Sequence, residues 1–222
     1  MAETPGAAEL LFQRRSDVEP MRVGVLISGS GTNLQALIDA CSAGELDAEV
    51  DVVISNKSDA FGLERARRAG IAAAHIDRAR YTTIAAYNAA ITEVLEAREV
   101  ELVVMAGYMR LLGQEVLAAF PGRVINLHPA LLPAFPGASA IRDAFDYGVK
   151  VTGVSVHLAD EHFDRGPIIC QQPVRVEEDD TLESLEARIH EAEHLLIVEA
   201  VDLFATERLV LEGRWVHILP PR

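Results

Sequence analysis

The sequence predicts an α/β fold: a doubly wound, mostly parallel sheet with an antiparallel C-terminal extension and a long C-terminal helix. Three observations predict it. Short β-branched apolar runs alternate with segments of helical period, a glycine-rich turn follows the first of those runs, and beyond the proline-rich stretch near residues 129–137 the runs become longer and partly alternating. Strands buried on both faces and separated by helices call for a parallel sheet, because each crossover has to cover one face of it.

Taken in order, residues 1–20 show no sustained period and end in Pro20, which predicts a mobile arm. RVGVLIS (22–28) is the first strand, and NLQALIDACSAG after it has helical spacing with a stop at Gly44. VDVVIS (50–55) is the second strand, followed by a helix over about 59–69 closed at Gly70. IAAAHI, then the long helical stretch YTTIAAYNAAITEVLEARE, then ELVVMA continue the alternation, and GRVINL adds a fifth strand. ASAIRDAFDYG reads as one helix, VKVTGVSVHLA and GPIICQQPVRV as an antiparallel extension, and 181–205 as a long helix. LVLEGRWVHIL closes the chain as a hairpin turned at Glu212-Gly213. With no linker composition and no repeat, residues 21–222 make a single domain with two lobes, about 21–120 and about 121–222.

Composition narrows the function. Acidic residues outnumber basic ones by 34 to 20, a formal charge of −14 that disfavours a nucleic-acid partner. Two cysteines without a C-x-x-C pattern, no run of roughly 18 apolar residues and no secretory signal point to the cytoplasm, with no membrane partner.

Four motifs compete to carry chemistry. SGSGTNL (28–34) opens the first helix, where backbone N–H groups and the helix dipole can hold one phosphate. Leu34 stands where a dinucleotide fingerprint needs its third glycine, and no acid follows the second strand, so an NAD site is disfavoured; the G-K-[ST] ending of a P-loop is missing too. HEAEH (190–194) matches a zinc-protease helix, but no third ligand follows, which argues against a metal; Glu193 at the margin of the apolar stripe of Leu182, Leu185, Ile189, Ala192 and Leu196 has to snorkel or face a polar pocket. GVSVH lacks the second glycine of a serine-hydrolase elbow. VINLHPALLPAFP (124–136) ends a strand with Asn126 and His128, two apart and therefore on one face, and HFDRGP puts Asp164 in a tight turn.

In sequence order, GSGTNL, SNKSDAFGLERA, AGYMRLL, INLHPALLPAFPG, VTGVSVHLADEHFDRGPII and the R-x-x-x-x-E-H of residues 188–194 closely resemble the glycinamide ribonucleotide formyltransferases of purine biosynthesis, over about residues 21–220. The resemblance implies a Rossmann-like formyltransferase fold and transfer of a formyl group from 10-formyltetrahydrofolate, as co-substrate, to the amine of glycinamide ribonucleotide, with no metal and no NAD. It assigns catalysis to Asn126, His128 and Asp164: two donors for the oxyanion, and a carboxylate that favours protonated His128 and organises a water. By the same matching, Gly31, Thr32, Asn33, His190 and Glu193 bind the ribonucleotide. Met109, Arg110, Leu111 and Leu112, with Asn126, Asp160 and Asp164, bind the folate. Two positions depart from the family: Ile84 stands where many members have an arginine near the folate tail, with Arg78 and Arg80 nearby, and Ser139 stands where some have histidine. Partners are small molecules, and a homodimer is allowed. A formyltransferase acting on another amine, such as an amino sugar nucleotide, or a silent folate- or nucleotide-binding regulator are the alternatives; the intact trio argues against the regulator.

Overall fold

The structure, a computed structural model, describes residues 9–15 and 18–221. Its strands are β1 (Glu9–Leu10), β2 (Met21–Ile27), β3 (Ala48–Ser55), β4 (Ala72–His75), β5 (Leu102–Met105), β6 (Val124–His128), β7 (Val151–Leu158), β8 (Ile168–Arg175), β9 (Leu209–Glu212) and β10 (Trp215–Ile218). Its helices are α1 (Thr32–Ala43), α2 (Phe61–Arg68), α3 (Ile84–Ala97), α4 (Gln114–Ala119), α5 (Ala140–Tyr147) and α6 (Leu182–Ala205). Seven strands form one sheet in the order β4-β3-β2-β5-β6-β7-β8, parallel through β6 and antiparallel for β7 and β8. This is the predicted α/β architecture, extension included.

The apolar runs of β2 and β5 are buried on both faces because a separate core packs on each. One core joins α1, α2 and α6 to the sheet, with Leu34, Leu37, Ile189, Leu196 and Phe204 at its centre. The other joins α3 and α4, through Ile91, Leu95, Val116 and Phe120. α6 starts sharply because Thr181 and Ser184 form a reciprocal capping box, and Arg188 reaches back one turn and more to grip both carboxylate oxygens of Asp180 at 2.7 and 2.8 Å.

The chain ends differ from expectation. Of the arm expected over 1–20, residues 1–8 and 16–17 lie outside the described residues, whereas 9–15 are docked. β1 pairs with β9, the Phe12 ring packs on Phe204 at 5.9 Å, and the amide of Arg15 donates to buried Glu101 at 2.9 Å. One buried aromatic and a two-residue strand carry no readable period, so the sequence shows only irregularity there. The closing hairpin also turns one residue later than expected: Trp215 pairs with Glu212, leaving Gly213 and Arg214 as its two-residue turn, with Gly213 at φ 59 supplying the left-handed backbone. β1, β9 and β10 form a second, three-stranded sheet. Helix α4, six residues between Gly113 and Phe120, was not expected from the sequence, being too short to show a period.

Candidate active site

Strand order reverses beside β2: the chain builds outward through β3 and β4, then returns to place β5 on the other flank of β2. In doubly wound sheets the crevice at such a switch point receives ligands, beyond the carboxyl ends of the strands. Here the turn after β2 and the loop after β5 flank that crevice and are joined across it, because Ser28 Oγ accepts from the amide of Met109 at 2.9 Å and donates to Asn56 Oδ1 at 2.6 Å.

The turn after β2 is braced from behind. Gly31 caps α1 in the left-handed region (φ 71) and lies against Gly62, so that a Cβ on Gly31 would sit 2.7 Å from Gly62 Cα. Gly62 N donates to Gly29 O at 3.1 Å and Arg65 Nε to Ser30 O at 2.9 Å. The glycine requirement at Gly31 thus comes from backbone conformation and packing on α2, and the result is a fixed helix N-terminus facing an open cavity of about 550 Å³. Gly31, Thr32, Asn33, His190 and Glu193 all line this cavity, as do Lys57, Ser139, Arg142 and Met109. Across it, α6 presents Glu193, buried, whose Oε2 contacts Asn33 Nδ2 at 3.3 Å and His190 Nδ1 at 2.7 Å. The hydrogen bond to Glu193 raises the His190 imidazole above its ordinary value, against a smaller opposing effect of burial. Asn33 Oδ1 is buried without a protein partner.

A second, smaller pocket adjoins the end of β6 and is lined by Leu111, Leu112, Asn126, His157, Asp160, Phe163 and Asp164. Asp164 is its focus. Its backbone is left-handed (φ 55) at the tight turn before Gly166 and Pro167, and the side chain is only 7% exposed. Oδ1 receives Asn126 Nδ2 at 3.3 Å, with His128 Nδ1 at 3.5 Å and His157 Nε2 at 3.7 Å, while Oδ2 accepts from Gly137 N at 2.8 Å. Burial alone would push this carboxyl up, but its hydrogen-bonded surroundings, the Gly137 amide among them, hold it below the usual carboxylate value.

The remaining bonds fix how each donor faces. His157 Nδ1 donates to the Leu158 carbonyl at 2.8 Å, so its Nε2 lone pair can accept from Asn126 Nδ2 at 3.1 Å. The Asn126 amide is oriented by this pair of acceptors, since a flipped amide would set its oxygen against the Asp164 carboxylate. His128, 4% exposed, donates from Nε2 to the Phe135 carbonyl at 2.8 Å, which turns its Nδ1 edge toward Asp164. The proline-bearing loop is pinned in turn by buried Ser155, which donates to Ala130 O at 2.7 Å and accepts from Leu132 N at 3.0 Å.

The sequence profile of the formyl transferase family matches residues 21–201, from the first strand of the large sheet into the last turns of α6. The chain belongs to that family. Phosphoribosylglycinamide formyltransferase of Bacillus subtilis is 43% identical over 173 residues, 78% of this chain and 89% of that protein. The enzyme of the same name from Escherichia coli is 38% identical over 206 residues, 91% of this chain and 97% of that protein. Among solved structures, glycinamide ribonucleotide transformylase 1 of Symbiobacterium toebii superposes with a TM-score of 0.90 at 52% identity, covering 94% of this chain and 98% of that one.

Within this formyl transferase, the residues predicted for the ribonucleotide meet around one cavity, and Asn126, His128 and Asp164 meet around one oxygen. The folate set divides: Leu111, Leu112, Asn126, Asp160 and Asp164 share the second pocket, Met109 lines the larger cavity with its side chain exposed, and Arg110 is exposed and lines neither. His157 was missed as a site residue. Its signal is non-local: the antiparallel register sets it opposite Asn126, which becomes visible only once β6 and β7 are paired. Among the described residues, no three His, Cys, Asp or Glu side chains come together as a cation site, and His190 and His194 of HEAEH have separate surroundings: His190 bonds Glu193, whereas His194 Nε2 is buried without a partner. No described helix is long and apolar enough to cross a membrane.

Proposed function

We propose that this chain is the phosphoribosylglycinamide formyltransferase of purine biosynthesis, transferring the formyl group of 10-formyltetrahydrofolate to the amine of glycinamide ribonucleotide. One observation carries the chemistry: Asn126, His128 and His157 converge on a single oxygen of Asp164, which with Asn126 and His157 lines the smaller pocket. The pockets differ as two different substrates require. The larger, with a helix N-terminus at one side and the Glu193–His190 pair at the other, suits a phosphate followed by a hydroxylated sugar. The smaller sets leucine and phenylalanine side chains beside Asn126 and Asp164, the chemistry that one edge of a flat heterocycle would meet.

The folate supplies the formyl carbon; everything else in the reaction falls to the chain. Gly31, Thr32 and Asn33 hold the phosphate at the start of α1, and Glu193 with His190 and the unpartnered Asn33 Oδ1 take sugar hydroxyls, which sets the amine end toward Asp164. Asn126 uses both amide hydrogens in the free protein, on His157 and Asp164. The longer bond, to Asp164, is the one a formyl oxygen replaces, so that the amide and His128 stabilise negative charge as it develops there. Asp164, relieved of that donor, then accepts the proton leaving the attacking amine, directly or through one water, and the proton passes to N10 of the folate as the bond from N10 to the formyl carbon breaks and tetrahydrofolate departs; its depressed pKa keeps Asp164 ionised in readiness. No residue of this scheme needs a metal or a nicotinamide. The cytoplasm is the proposed compartment.

Incubating the pure protein and 10-formyltetrahydrofolate with glycinamide ribonucleotide or with an amino sugar nucleotide, with and without chelator, tests the reading. Tetrahydrofolate is expected only with the ribonucleotide and irrespective of chelator. Formation with the amino sugar nucleotide instead would reassign the acceptor, and chelator-sensitive activity would return HEAEH to consideration.

A further inference from the structure

The loop carrying Asp164 joins β7 to β8, and residues 161–163 of it are exposed. On its cleft side the carboxylate is tied to Gly137 and Asn126. On the other side the main chain immediately after Asp164 is held by a residue nearly fifty positions away: Arg214 Nη2 donates to the Arg165 carbonyl at 2.6 Å and lies 3.4 Å from the Gly166 carbonyl. Gly166 is already at closest approach to β7, since a Cβ there would fall 1.7 Å from the Leu158 carbonyl oxygen. The turn is therefore wedged between the sheet and the guanidinium.

Arg214 can serve as an anchor because its own support is firm. It is the second residue of the β9–β10 turn, β9 is paired on both edges by β10 and β1, Leu209 is buried, and Arg208 Nε donates to Leu219 O at 2.7 Å. Neither carbonyl that Arg214 holds belongs to a catalytic residue, so its effect on chemistry can only be indirect.

We infer that Arg214 is a positioning residue for Asp164: by fixing the carbonyls of Arg165 and Gly166 it sets the direction in which the Asp164 carboxylate meets Asn126 and His128. A left-handed residue followed by two carbonyls ahead of β8 can rock by peptide rotation, and the planar guanidinium removes that freedom by taking both oxygens with one nitrogen. Small displacements of a reacting group cost far more in rate than the contact that prevents them contributes to stability. Residues 9–10 acquire a purpose on this view, because β1 completes the sheet on which the anchor stands.

The inference rests on the catalytic part proposed for Asp164, and the test separates the two. Arg214→Ala and Arg214→Lys are prepared in the full chain. Steady-state constants are measured for both substrates, and amide hydrogen exchange is followed for peptides spanning 159–167 without substrate. Arg214→Ala is expected to lower kcat by about five- to ten-fold while KM for the ribonucleotide stays within about two-fold, with faster exchange confined to the loop; Arg214→Lys should recover most of both, since an ammonium can still reach Arg165 O. Unchanged exchange in 159–167, an unchanged kcat accompanied only by a lower melting temperature, or a lysine variant as impaired as the alanine variant would overturn it. A parent protein that makes no tetrahydrofolate refutes the proposed function, and the exchange data then decide the anchor alone.

Discussion

Asp164 and Glu193 are two carboxylates of the cleft, equally buried at 7% side-chain exposure and each facing an imidazole, yet they are held in opposite ways. Glu193 rides in the middle of a 24-residue helix whose neighbours Ile189, Ala192, Leu196 and Ile197 are packed into the core. Its backbone needs nothing further, and two side-chain contacts, to His190 and Asn33, finish its placement. Asp164 sits on a turn in a conformation that non-glycine residues seldom adopt. It is held by Asn126 and His128 from β6, His157 from β7 and Gly137 from the proline-bearing loop. A carboxylate on a helix inherits its position from packing, so a change there should act on binding. A carboxylate on a turn takes its position from the same bonds that it uses in the reaction, so a change there should act on turnover.

The largest expected effect tests the turn side of this contrast. Asp164→Asn keeps the size of the side chain and its bond to Gly137 but loses the charge, and kcat should fall by about 10²- to 10⁴-fold with both dissociation constants nearly unchanged. Turnover within a few-fold of the parent would reduce Asp164 to an ordinary turn residue. Next in size, Asn126→Ala should lower kcat by about 10²- to 10³-fold, His128→Ala comparably, and the double variant by much less than the product, because both donors serve one oxygen. A destabilised Asn126→Ala protein of normal kcat would show the amide to be merely structural.

The smallest effect belongs to the helix. Glu193→Gln should raise KM for the ribonucleotide by about ten-fold, equivalent to about 1.4 kcal/mol, and change kcat little; a collapse of kcat would erase the distinction between the two carboxylates. The same variant has a signature in stability. His190 has a folded-state pKa raised above 6.5 by Glu193, so this pair's stabilisation is fully present below about pH 6.5 and is lost as pH rises through the higher folded value. Denaturant titrations at several pH values should therefore show the parent's advantage over Glu193→Gln shrinking across that window. A constant difference would mean that the two groups do not titrate together.

The contrast also explains what the sequence revealed. Glu193 stood out because a single charge at the margin of a helical apolar stripe breaks a regular period, and Asn126 and His128 stood out because strand alternation puts residues two apart on one side. The parallel strands were legible for the same reason: β2, β3 and β5 are short β-branched runs bounded by turns. What escaped depends on pairing between distant segments. His157 enters the site through its register with Asn126, β1 exists only because β9 offers it an edge, and the Arg214 anchor spans two turns that no local pattern connects. The expected common target of the two donors was legible as well, but its resting occupant, Asp164 Oδ1, was not: a tight turn can be foreseen, whereas the direction of its side chain is set by tethers from other elements.

The chain contains one tryptophan, Trp215, which opens β10 directly after Arg214 and is three-quarters exposed. Nature has in effect labelled the small sheet and nothing else. Intrinsic indole emission from this protein therefore reports on the hairpin alone, with no background from the large sheet or the ribonucleotide cavity. Its intensity and anisotropy offer an optical readout, free of any added dye, of whether that corner of the molecule is seated or adrift.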